Sequence, residues 1–89
     1  MPHVLTADEA LAVQSRVTDC EWKAADQYDD GRYTVSALAQ RIMLLCAVEL
    51  TKARQAFHLS LNDPEIDLIE LKQAVENVEN ARKSRAGRK

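Results

Sequence analysis

The chain has few of the residues that build sheets, tight turns or disulfide-rich folds. Its 89 residues include one tryptophan, two tyrosines and one phenylalanine, and two each of glycine, proline and cysteine. The hydrophobic fraction of 46% is therefore mostly alanine, leucine, valine and isoleucine, a mixture that suits helices better than sheets. With 29% charged residues and a net charge of -2, the chain is neither uniformly basic nor typical of a disordered protein. These properties predict one small all-α domain.

Closely spaced cysteine motifs and long apolar runs, the signatures of disulfide frameworks, zinc sites and membrane spans, are also missing. Cys20 and Cys46 lie in separate helical patterns without a Cys-x-x-Cys spacing. We therefore predict that both are buried thiols. No window approaches the roughly 18 apolar residues of a membrane span, and the N-terminus has no basic region before an apolar core. We expect no membrane contact and a cytoplasmic location, in a bacterial host cell if the protein is phage-encoded.

The first helix has clear start and stop signals. Thr6-Ala7-Asp8-Glu9 reads as a capping box, in which the Thr6 hydroxyl and the Glu9 carboxylate each accept a hydrogen bond from a free backbone N–H. Gly31 can adopt the left-handed conformation that ends a helix. The helix is therefore predicted over about 7–29, and its apolar stripe consists of Ala10, Val13, Val17, Cys20, Ala24 and Tyr28.

The second predicted helix, about 35–59, is apolar on nearly every side over residues 42–48. A single neighbouring helix cannot cover such a run, so either two helices flank it or a second copy of the chain does. We therefore predict a homodimer through this helix.

Asp63 as cap and Pro64 at the first helical position predict a third helix over about 64–83. Its apolar face consists of Leu68, Leu71, Val75 and Val78, broadened by Ile66, Ile69, Ala74 and Ala81. Only a few residues join the second and third helices, which favours a long antiparallel hairpin with the first helix packed along it. The prediction is a three-helix bundle in one domain, 1–83, followed by a basic, frayed tail, 84–89.

No set of residues indicates catalysis or a bound cofactor. Cys46 and His58 are twelve residues apart on one predicted helix and therefore about 18 Å apart along its axis, too far for proton transfer. The two glycines build no phosphate-binding loop, and the acids around Gly31 do not complete a calcium loop. We expect a protein that is not an enzyme and that carries neither cofactor nor metal.

The end of the first helix is the best candidate for a partner-binding surface. Acidic side chains are unfavourable there, because the helix end carries a partial negative charge. Arg32, Arg41 or solvent could compensate for them, or the patch could receive a basic partner. Tryptophan and tyrosine are also enriched at binding hot spots. The candidate residues are Trp22, Asp26, Tyr28, Asp29, Asp30 and Tyr33.

The end of the chain is strongly basic, whereas residues 1–30 and 62–81 each carry a net charge of -5. Five cations could contact phosphates or an acidic protein, or could simply solubilise the tail: Arg82, Lys83, Arg85, Arg88 and Lys89. A helix-turn-helix reader of DNA is disfavoured, because the third helix carries six acids and one base between residues 62 and 81.

No motif in the chain identifies a family. In its size, alanine-rich helices and lack of a catalytic signature, the chain resembles the small accessory proteins of phages and mobile elements, which act by occupying a host protein. The resemblance implies a protein-binding inhibitor or antiactivator that uses acidic helical surfaces. The alternatives are a nucleic-acid-binding regulator that uses the basic tail and an oligomeric structural or assembly protein.

Overall fold

A computed structural model describes residues 4–87 and confirms the all-α fold. It contains α1 (Ala7–Tyr28), α2 (Val35–Leu45), α3 (Ala47–Ala56) and α4 (Pro64–Ala86), with no strand among the described residues. The helices form an elongated body of 50 × 26 × 17 Å. None of the helices in residues 4–87 combines the length and apolar character that a membrane crossing requires.

The predicted local start and stop signals are confirmed. The Thr6 hydroxyl accepts a hydrogen bond from the Glu9 N–H, and the Glu9 carboxylate accepts one from the Thr6 N–H, both at 3.1 Å. Gly31 has a φ of 83°, in the left-handed region. The Asp63 carboxylate caps α4 by accepting a hydrogen bond from the Glu65 N–H at 2.9 Å. Each of these signals depends on neighbouring residues alone, which is why the sequence predicts them correctly.

The predicted second helix, 35–59, is divided at Cys46 into α2 and α3, and α3 ends at Ala56. Cys46 has φ -104° and ψ 20°, outside the helical range, although no glycine or proline stands at this point. The residue after α3, Phe57, is followed by His58 with a φ of 57°. His58 thus takes the left-handed position that usually holds a glycine at a helix end.

The prediction that Cys20 and Cys46 are buried thiols is wrong, because the two residues form a disulfide. The bond joins α1 to the α2–α3 junction, with the two Cα atoms 6.0 Å apart. Their separation of 26 residues matches no local cysteine motif, so only the packing of α1 against this junction brings the sulfurs together.

The core lies where α1, α2 and α4 meet, around Leu38, Ile42, Ala74 and Val78, which are fully buried. Arg82, near the end of α4, donates a hydrogen bond to the Tyr33 carbonyl just before α2. At the other end of the molecule, side-chain hydrogen bonds from Arg54 join α3 to the first turns of α4. The predicted antiparallel hairpin is therefore present, and α1 packs along it.

The helices separate at the end of the molecule where α4 begins. α3 packs against α1 and α2, but none of its Cα atoms lies within 8 Å of one in α4. Leu68 and Ile69, predicted on the apolar face of the third helix, are each 67% exposed as a result. We call this region, formed by α3, residues 57–63 and the first turns of α4, the splayed end. At its other end α4 continues through Ala86, three residues beyond the predicted end at 83.

Candidate functional site

The acidic end of α1 and the basic end of α4, predicted as separate binding surfaces, contact each other. The Asp29 side chain is only 2% exposed and accepts hydrogen bonds from Arg82 Nε at 2.7 Å and Arg82 Nη2 at 3.1 Å. Arg85 Nη2 bonds to the same carboxylate. We call these three residues the Asp29 clamp. It ties the end of α1 to the end of α4.

The clamp explains how the end of α1 tolerates its acids. The hydrogen bonds from Arg82 are the largest cause of a pKa of Asp29 well below its usual range, and they outweigh the opposing effect of burial. The bonds from Arg85 and from the Gly31 N–H lower the pKa further. Asp29 thus keeps its charge, and the charge is neutralised within the chain.

The other residues of the predicted acidic patch also have internal neighbours. Asp30 pairs with Arg32 at 3.5 Å, and Asp26 lies 3.9 Å from Arg85 Nε. The Arg41 guanidinium lies 5.9 Å from the ring centres of both Tyr28 and Tyr33, in cation–π contact. Trp22 is half-buried on α1.

The patch as a partner-binding surface stays a prediction, and so does the basic tail as a nucleic-acid contact. Arg82 and Arg85 are committed to Asp29, while Lys83 is exposed. Arg88 and Lys89 lie outside the described residues. Two of the five predicted cations therefore have an internal partner, which reduces the charge available to phosphates.

At the splayed end, a buried arginine bridges the gap between α3 and α4. The Arg54 side chain is 7% exposed and donates hydrogen bonds to both carboxylate oxygens of Glu70, at 2.8 and 2.6 Å. It also donates to Asp67 Oδ1 at 2.5 Å and to the Ser60 carbonyl at 3.2 Å. Glu70 and then Asp67 are the main causes of a raised pKa of Arg54, so its charge is permanent.

A groove opens on one side of Arg54, between α2, α3 and α4. It has a volume of about 790 Å³ and a mainly apolar lining. Three of its leucines are largely exposed: Leu44 at 79%, Leu68 at 67% and Leu61 at 51%. We call it the leucine groove. Leu44 belongs to the apolar run 42–48, so the sequence had already indicated an apolar surface here.

A smaller cavity of about 360 Å³ lies on the other side of Arg54, between α1, α3 and α4. Glu21 of α1 lines it and is fully buried. Glu21 Oε1 accepts a hydrogen bond from Asn77 Nδ2 at 2.6 Å, whereas Oε2 has no hydrogen-bond partner among the described residues. We call this space the Glu21 cavity.

Sequence reasoning missed the residues that shape both cavities. Arg54, Glu21 and Asn77 look like ordinary surface residues of amphipathic helices, and their side-chain partners lie 13 to 56 positions away in the chain. Glu21 carries one weak signal, since it stands four residues after Val17 and three before Ala24 and so lies beside the stripe that faces the core. Nothing local distinguishes Arg54 from the other bases of the middle of the chain.

Among residues 4–87, no group of three or more histidine, cysteine, aspartate and glutamate side chains is arranged to hold a metal ion. The candidate site combines apolar surface with the bridging Arg54 and the buried Glu21. Comparison with models of known families, with curated proteins and with solved structures found no match to this chain.

Proposed function

We propose that this chain is a non-enzymatic protein-binding module that receives a helix of its partner in the leucine groove. The observation that carries the proposal is the exposure of Leu44, Leu61 and Leu68 along a concave surface formed by three helices. Soluble monomers rarely leave large apolar patches uncovered, and such patches commonly mark interaction sites. An inhibitor that occupies a host protein would work through a surface of this kind.

The shape and charge of the groove favour an amphipathic helix with basic flanks as the occupant. A helix lays its apolar stripe into a groove between helices, with anchors three and four residues apart. One wall is α4, and residues 62–81 of the chain carry six acids and one base. Asp67 and Glu70 share the single charge of Arg54, so this wall keeps an excess of negative charge. Basic residues beside the apolar stripe would complement it.

A homodimer is the second candidate, and the exposed part of the predicted apolar run supports it. Beyond the groove, Leu45 is 47% exposed and Val48 is 64% exposed. The described helices thus leave part of residues 42–48 uncovered, which was the reason for predicting a dimer. In a homodimer, a second copy of the chain rather than a different protein would cover this exposed part of residues 42–48.

The test compares exposed leucines inside and outside the groove. We expect Leu44→Ser and Leu68→Ser each to weaken partner binding about ten-fold or more, because each removes an apolar anchor worth at least 1.4 kcal/mol. Leu11→Ser is the matched control, since Leu11 is 61% exposed on α1 and lies outside the groove. All three variants should unfold at nearly the wild-type denaturant concentration.

The measurement is affinity capture from candidate host lysates, followed by titration of the captured protein against the four chains. A partner that binds wild type and Leu11→Ser alike, but binds Leu44→Ser and Leu68→Ser weakly, supports the proposal. Equal binding to all four chains, or no captured protein, would overturn it. Sedimentation of wild type in parallel identifies the homodimer as the alternative if Leu44→Ser converts a dimer into a monomer.

A further inference from the structure

The Glu21 cavity contains a buried acidic group that the proposed function does not use. Its lining is mainly apolar and includes Val17 from α1, Phe57 from the turn after α3 and Ile66 from α4. The volume of about 360 Å³ falls within the usual range for small-ligand sites. The cavity is separated from the leucine groove by the pair of Arg54 and Glu70, which lines both spaces.

Glu21 Oε2 is the unsatisfied group in this cavity. The residue is fully buried, and the only described hydrogen bond of its side chain is the one that Asn77 donates to the other oxygen. Buried polar atoms in folded proteins nearly always have a partner, because an unpaired one costs free energy that water would otherwise supply. The free oxygen of Glu21 therefore indicates a missing donor.

The charges around the cavity indicate what kind of donor is missing. Arg54 is the only basic residue that lines the cavity within the described chain, and it already pairs with Glu70 and Asp67. Burial raises the pKa of Glu21, the Asn77 hydrogen bond opposes the rise, and repulsion from Glu70 adds to it. A cationic donor would relieve both the burial cost and the repulsion, whereas a neutral donor would relieve neither fully.

We propose that the Glu21 cavity binds an aliphatic ammonium group, which donates a hydrogen bond to Glu21 Oε2 while its hydrocarbon chain lies against Val17, Phe57 and Ile66. Two sources present this chemistry, a free alkylamine and the lysine side chain of a bound protein. The inference stands independently of the leucine groove, since none of the four residues that would contact the ligand lines that groove.

The test on the wild-type chain uses n-hexylamine against n-hexanol, which has the same hydrocarbon chain without the charge. We follow both titrations by backbone amide chemical shifts in NMR at neutral pH. Hexylamine should shift the amides around Glu21, Phe57 and Ile66, and should bind about ten-fold more tightly than hexanol because only the amine forms a charge-assisted bond. A short lysine peptide and its norleucine counterpart distinguish a lysine side chain from a free amine as the ligand.

Glu21→Gln keeps the size of the side chain and removes the charge, so it should lose the preference for amine over alcohol. Glu76→Gln on the exposed face of α4 is the matched control and should keep it. Equal binding of hexylamine and hexanol to wild type, an unchanged preference in Glu21→Gln, or no binding of either amine probe would overturn the proposal. If Glu21→Gln does not fold, the amine–alcohol comparison on wild type still decides.

Discussion

At the residue scale, Asp29 shows how a position that violates a local rule can be explained by a distant partner. An acid at the end of a helix is unfavourable, and the sequence correctly indicates that something must compensate. The candidates weighed from the sequence, Arg32 and Arg41, contact Asp30 and the two tyrosines instead. The actual partners of Asp29, Arg82 and Arg85, stand 53 and 56 positions away, beyond the reach of any local pattern.

We expect Asp29→Asn to lower the free energy of unfolding by about 2 kcal/mol at neutral pH, because it leaves two arginines without their shared charge. Urea denaturation of the variant and of wild type measures the difference. Asp30→Asn is the control, since the Asp30 side chain is 51% exposed and its loss should cost no more than about 0.5 kcal/mol. Equal losses for the two variants would show that the clamp contributes nothing beyond a surface pair.

At the element scale, the three predicted helix starts and the end of α1 were correct, whereas the ends of α3 and α4 and the continuity of the second helix were not predicted correctly. Thr6, Gly31 and Asp63 act through residues within one turn, so their signals can be read directly from the sequence. The break at Cys46 has no such signal, because it coincides with a bond to another helix. Periodicity placed Leu68 on an apolar face that a continuous second helix would cover. That placement is wrong, because α3 diverges from α4 and leaves this leucine exposed.

The disulfide between Cys20 and Cys46 should contribute measurably to stability. Closing a loop of this length restricts the unfolded chain and is worth about 3.5 kcal/mol. We therefore expect a reducing agent to lower the free energy of unfolding of wild type by about this amount, as measured by urea denaturation. The Cys20→Ala/Cys46→Ala double variant should already be destabilised and should show no further response to the reductant.

Alkylation of the unreduced protein in denaturant, followed by mass spectrometry, provides the direct check. Free thiols at both positions, or unchanged stability on reduction, would contradict the assignment of the bond. The result also bears on the predicted cytoplasmic location, which stays a prediction. Disulfides persist mainly in oxidising compartments, so a stable Cys20–Cys46 bond weighs against a reducing cytosol.

At the scale of the whole molecule, the buried acids Asp29 and Glu21 have opposite electrostatic surroundings. At the Asp29 clamp, two arginines neutralise a buried acid, and the pKa of Asp29 falls below its ordinary value of 3.8. In the Glu21 cavity, beside the splayed end, Glu21 of α1 is buried with Asn77 as amide donor and Glu70 as acidic neighbour, and its pKa rises above its ordinary value of 4.5. The leucine groove and the Glu21 cavity thus lie where the helices separate and where the Glu21 charge has no cationic partner among the described residues. Composition and periodicity could not predict this arrangement, because it depends on how the helices pack.

This asymmetry predicts how stability depends on pH. Asp29, with its lowered folded pKa, stabilises the protein above pH 3.8, and this contribution is lost as the pH falls below that value. Glu21, with its raised folded pKa, has the opposite sign, because the folded state resists its ionisation. Its cost is absent below pH 4.5 and grows as the pH rises through the raised pKa.

Glu21→Gln removes the ionisable group and should therefore leave stability nearly unchanged at pH 4 and raise it relative to wild type towards neutral pH. Urea denaturation of both chains at a series of pH values measures the difference curve, in which the contributions of all other groups cancel. Glu76→Gln, on the exposed face of α4, should give a flat curve. A flat curve for Glu21→Gln as well would mean that Glu21 ionises as easily in the folded chain as in the unfolded one. The electrostatic argument for a cationic ligand in the Glu21 cavity would then fail.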